Sequence, residues 1–130
     1  MSVRTSDKKQ LGCQLRLLRE QQKPYISQRK LAQAIDITNA SLSDIENGVN
    51  FPSEEVFLRL LDVLRPDEDT REDLLNLYAE AKQTVPPDIT AFLRTQRNLY
   101  AVLRSMMGKE ISDDTVKYMI NMSSQLTQRV

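Results

Sequence analysis

Between Ser27 and Gly48 the stretch QRKLAQAIDITNASLSDIEN interleaves two sets of side chains. Leu42 and Ile45 claim one side of its second half, which leaves Asn39, Ala40, Ser43, Asp44 and Asn47 for the other. These residues are polar or small, and their chemistry is hydrogen bonding at close approach, to base edges or phosphates. Groups that make and break bonds are scarce in the rest of the chain. It has no histidine, a lone Cys13 and only three glycines, with no P-loop, G-x-G-x-x-G or G-x-S-x-G pattern. The commonest general base near neutral pH is missing, a zinc site would have to be built almost wholly from carboxylates, and a lone cysteine rules out an internal disulfide framework. We therefore expect no enzyme activity, no metal and no cofactor.

The polar set must be held by helices, since apolar periodicity is helical nearly throughout and no stretch alternates like a strand. The fold class is predicted as all-α. Leu11, Leu15 and Leu18 define a first helix ending near Lys23, before Pro24. Ser27 caps a second with Leu31, Ala32 and Ile35 inside, and a tight turn follows at Asp36. Thr38 caps a third that runs to Gly48. Ser53, followed by Glu54 and Glu55, opens a fourth with Val56, Phe57, Leu60, Leu61 and Leu64 as its apolar stripe. After Pro66 a fifth starts over Asp67 to Thr70 and carries Leu74, Leu75, Leu77, Tyr78 and Ala81. Pro86-Pro87 marks a boundary, giving a predicted head over 1–84 and an extension over 85–130. The extension is predicted as two helices, one long and ended by Gly108, the other capped by Ser112. Cys13 is assigned to helix packing, the default for a lone cysteine.

At 130 residues the chain has room for one small domain with a helical extension. No apolar run approaches the roughly 20 residues of a membrane span, so a soluble, cytoplasmic protein is expected. Net charge is zero, but it is unevenly spread. Residues 1–50 carry eight cations against five anions, a net of +3, and residues 51–84 carry four against nine, a net of −5. The head should present its first half to a polyanion and turn its second half away.

The stretch from Leu11 to Leu64 resembles the Cro/lambda-repressor family of helix-turn-helix domains, also called the XRE family. The resemblance rests on Leu15-Arg16 with Arg19, Ser27-Gln28, Leu31-Ala32, Thr38, Ile45-Glu46-Asn47-Gly48 and Pro52-Ser53. It implies a five-helix head that binds double-stranded DNA, with the third helix in the major groove. On that basis Asn39, Ala40, Ser43 and Asp44 are expected to reach bases. Gln28, Arg29 and Lys30 on one side, and Asn47 with Asn50 on the other, are expected to touch phosphates. The resemblance also implies a structural ion pair between Arg19 and Glu46. Two residues depart from the family pattern. Asp36 replaces the usual turn glycine, and Asp44 puts a carboxylate where phosphates repel it, although it can accept from a cytosine amino group. No Lys or Arg lies between Lys30 and Arg59, so affinity must also draw on Arg4, Lys8 and Lys9.

Modest affinity in one head calls for a second, and the extension is the natural device for pairing. Phe92, Leu99, Leu103, Met106 and Met119 are assigned to a homodimer interface. The resulting expectation is a dimeric repressor on a palindromic operator. Two alternatives stand beside it: an antitoxin that represses its own operon while its extension clasps a toxin, and a helix-turn-helix protein-interaction module without DNA binding. An ordinary αα-hairpin would also produce caps and leucines, but not the whole motif.

Overall fold

In the computed structural model, which describes residues 2–127, helices form at each of these signals, and no strand occurs among the described residues. Met1 and residues 128–130, the outer ends of the two predicted domains, lie outside the described residues. The helices are α1 (Thr5–Glu20), α2 (Gln28–Ala34), α3 (Asn39–Glu46), α4 (Glu54–Leu64), α5 (Glu68–Lys82), α6 (Pro87–Thr95), α7 (Leu99–Met106) and α8 (Asp113–Ser123). Ser27, Thr38, Ser53, Asp67 and Ser112 each accept a hydrogen bond from the backbone N–H three residues on. Each such cap contributes about 1 kcal/mol and fixes where its helix begins. The chain divides into two compact units, Met1–Ala91 and Phe92–Val130.

In the first unit the apolar stripes of α1 to α5 share one core. Leu11, Leu15, Leu31, Ile35, Leu42, Phe57, Leu60, Leu64 and Leu74 are all fully buried there, each burial stabilising by roughly 1.5–3 kcal/mol. α1 stops at Glu20, short of the expected Lys23. The Gln22 amide explains this, donating to the Leu18 carbonyl at 3.0 Å and to the Leu64 carbonyl at 2.9 Å. One side chain thus closes α1 and ties its end to the end of α4. Cys13 is exposed and packs against nothing in the core, which corrects the expectation from sequence. It lies about 200° around the helix from Leu11, off the buried stripe. The contact belongs to its neighbour Gly12, which is buried.

α5 closes the core through Tyr78, whose ring stacks on Phe57 and Phe51 at centroid distances of 4.4 and 4.9 Å. Its hydroxyl donates to the Pro52 carbonyl at 3.0 Å, holding α5 to the segment that leads into α4. Burial, reinforced by the charge of Glu54, pushes the Tyr78 phenol up to about 12. An unfolded chain loses this proton near 10, so the fold favours the neutral phenol. Stability from this source is complete below pH 10 and drains away as the pH rises towards 12. The amount is on the order of 2–3 kcal/mol. Denaturant midpoints at about pH 9 and about pH 11.5 should differ clearly for the native chain and much less for Tyr78→Phe. An equal alkaline loss in both proteins would place the titrating group elsewhere.

Pro87 is buried and stays with the first unit, so α6 begins there and ends in the second. The single long helix expected up to Gly108 is instead two, α6 and α7, giving the extension three helices and not two. The interruption falls at the polar run Gln96-Arg97-Asn98. Just before it, the Thr95 hydroxyl donates to the Phe92 carbonyl at 2.8 Å, sharing it with the Gln96 N–H at 3.1 Å. The backbone then tightens, with Leu99 and Tyr100 N–H donating three residues back to Gln96 and Arg97. No residue of α7 or α8 is buried, and Val102, Leu103, Met107, Val116, Met119 and Ile120 are exposed. No helix among the described residues is long and apolar enough to cross a membrane.

Candidate nucleic-acid interface

Two short helices meet steeply when small or apolar residues line their contact. Ala32 and Ile35 at the end of α2 are buried with Leu42 and Ile45 of α3, and Ile37 packs beside them. Between the helices Asp36 takes a left-handed conformation, φ 60°, where glycine would be easiest. The Ile37 N–H closes the turn on the Ala32 carbonyl at 3.0 Å, and Arg59 of α4 donates to the Ile35 carbonyl at 3.1 Å. Nothing in the sequence marked Arg59 for this duty, because it lies 24 residues from its acceptor.

α2 presents Arg29 and Lys30 as exposed cations in its first turn, neither paired with an acid among the described residues. Gln28 beside them is half-buried, and its amide donates to Glu46 Oε1 at 3.2 Å. On α3, Asn39 and Ala40 are exposed, while Ser43 and Asp44 are half-buried. Asn47 and Asn50 are exposed at the far end. The Asn47 amide donates to Ser43 Oγ at 3.2 Å, and the Asn50 amide to Asp44 Oδ2 at 3.4 Å. Gly48 ends the helix at φ 74° and lies so close to α1 that a Cβ there would come within 2.7 Å of the Lys9 Cα. The exposed Lys9 is thereby brought to the end of α3. Arg4 instead lines a hollow of about 470 Å³ with Asp7 and the α5 end, Glu80 to Gln83.

Behind this surface Arg19 and Glu46 form a two-pronged pair, Nε to Oε2 at 2.8 Å and Nη2 to Oε1 at 3.0 Å. Both side chains are almost wholly buried. Arg19 Nη1 also donates to the Tyr25 hydroxyl at 3.1 Å and the Ile26 carbonyl at 3.3 Å, so α1, the loop before α2, and α3 meet on one guanidinium. The Glu46 hydrogen bond holds the Arg19 pKa above its ordinary value, with burial opposing it. Gly12 makes this meeting possible, since a Cβ at that position would stand 2.8 Å from the Glu46 carbonyl oxygen. A glycine inside a helix, at a cost of about 1 kcal/mol relative to alanine, was the sequence signal for such an approach.

Two short capped helices, packed together through small and apolar residues and exposing the face of the second, define a helix-turn-helix protein. A family model described as a helix-turn-helix domain matches residues 10–74, half of the chain, and the chain belongs to that family. Among solved structures, the clp gene regulator ClgR from Corynebacterium glutamicum is similar at 24% identity and a TM-score of 0.46. That similarity covers 79% of this chain and 96% of the other. No curated protein gives a match.

Proposed function

We propose that this chain is a sequence-specific DNA-binding transcriptional regulator of the Cro/lambda-repressor (XRE) kind, a repressor that binds a palindromic operator as a homodimer. The observation that carries this is the exposed first turn of α3, where Asn39 and Ala40 have no side-chain partner among the described residues and so remain available to base edges. Ser43 stands one turn further along. Gln28, Arg29 and Lys30 grip phosphates at the start of α2, and Asn47 and Asn50 do so at the end of α3. The chain works without a cofactor and is not an enzyme. Selection from a random duplex pool tests the proposal: half-sites with centres about 34 Å apart and inverted symmetry should be enriched. A pool that emerges unenriched would sink it.

The second copy is proposed to cover the extension. Phe92, Leu103 and Met119 are exposed and Leu99 and Met106 half-exposed. A segment this short that buries so little gains too little from folding to stand uncovered. Truncation after Ala91 keeps the whole core and should leave a folded monomer that binds its operator about 100-fold more weakly, since the second head no longer binds as part of one molecule. Sedimentation and binding of the truncated head check both halves of that statement. A truncated head that still dimerises would move the interface off the extension, and a full-length monomer would favour a different protein partner, as the antitoxin alternative requires.

A further inference from the structure

Asp44 occupies a place on α3 where a carboxylate is doubly disfavoured. Phosphates repel it, and the negative end of the helix dipole lies close by. The structure shows one partner for its carboxylate, beside two bonds to its main-chain carbonyl that any residue here would accept. The Asn50 amide donates to Oδ2 at 3.4 Å, and the backbone N–H groups of Val49 and Asn50 donate to the Asp44 carbonyl at 2.8 and 3.2 Å. The turn between α3 and α4 is therefore folded back on this residue by three contacts. Asp44 is half-buried and Asn50 exposed, so the amide is the outer partner of the pair.

Granted that α3 meets DNA as proposed above, we infer that Asp44 is a positioning residue that aims the Asn50 amide at the phosphate backbone, and is not a reader of bases. A carboxylate that reads cytosine must offer its oxygens to the base amino group. Asp44 already spends one on Asn50, one turn beyond the exposed Asn39 and Ala40. The Asn50 amide has two N–H donors. With one on Asp44, the other is left for a phosphate oxygen, and the amide stands between two negative groups that would otherwise repel. The same surface that reads sequence at the start of α3 is, at its end, a clamp.

The test uses the full chain, Asp44→Asn and Asn50→Ala, each taken through duplex selection, affinity measurement and melting without DNA. Asp44→Asn keeps an acceptor for Asn50 and removes the charge, so it should select the same half-site at every position and bind it at least as tightly as the native chain. Asn50→Ala should also select the same half-site but bind roughly tenfold more weakly, the effect of a lost hydrogen bond to a charged group. Melting separates a folding loss from a contact loss. A preference in Asp44→Asn that moves at one position from cytosine towards adenine, the usual partner of an amide, would make Asp44 a base reader and overturn the assignment. Native-like binding by Asn50→Ala would overturn it too. A native chain that enriches no sequence removes DNA binding itself, and the clamp with it.

Discussion

Glu46→Ala is expected to destabilise the free protein by about 3–5 kcal/mol, the usual result of leaving one member of a buried ion pair alone. In a head of this size each kcal/mol moves the melting temperature by about 4–8 °C, so a fall of about 12 °C or more should be seen with no DNA present. The size follows from the geometry. Arg19 would keep its guanidinium almost wholly out of water with two of its hydrogen bonds gone and only Tyr25 and Ile26 still accepting from it. Gln28 would lose its acceptor at the same time. Replacing both charged residues together, as Arg19→Met with Glu46→Leu, should recover much of the loss, because no uncompensated charge remains. An unchanged melting temperature in Glu46→Ala would mean that the pair contributes nothing to the fold.

That pair also shows which features of this protein can be read from sequence. The caps at Ser27, Thr38, Ser53 and Ser112 are local chemistry: a hydroxyl and a backbone N–H three residues away need no knowledge of the rest of the chain. The left-handed Asp36 and the end of α3 at Gly48 are local in the same sense. The partnership of Arg19 with Glu46 spans 27 residues, and only the resemblance to a known family suggested it. Where contacts depend on how helices approach, the sequence was silent or misleading. Cys13 looked apolar enough to pack, yet the buried position beside it is Gly12. Arg59 caps the turn from 24 residues away, a partnership that no local pattern marks. In the extension, apolar spacing continued across Gln96 to Asn98, but spacing describes a stripe and not the ladder beneath it, and there the ladder gives way to three-residue bonds at Leu99 and Tyr100. The site divides along the same line. Exposure of Asn39 and Ala40 follows from helical phase alone, whereas the Asp44–Asn50 contact depends on a turn whose path no periodicity encodes.

Gly12→Ala carries the other large effect, and its cause is shape alone. The added methyl would fall deep inside contact distance of the Ile45 carbonyl oxygen and 2.8 Å from that of Glu46. Both obstacles are backbone, so no side chain can swing aside. α1 and α3 must part, and with them Leu11 and Leu15 from Leu42 and Ile45, and Arg19 from Glu46. Alanine is the better helix former by about 1 kcal/mol, which offsets little of this. We expect a net loss of about 3–5 kcal/mol, the range of substitutions that disrupt a core. Gly108 supplies the control. An alanine there meets nothing within 4 Å and suffers only the strain of φ 77°, roughly 1–2 kcal/mol. If the loss at Gly12 arises from separating the two helices, the ion pair is already broken in that variant. Adding Glu46→Ala to Gly12→Ala should then cost far less than Glu46→Ala costs alone, a shortfall of 1 kcal/mol or more in a double-mutant cycle, on the order expected for directly coupled sites. Strict additivity would show that α1 accommodates the methyl without moving, and that the close crossing at Gly12 is not what seats Arg19 on Glu46.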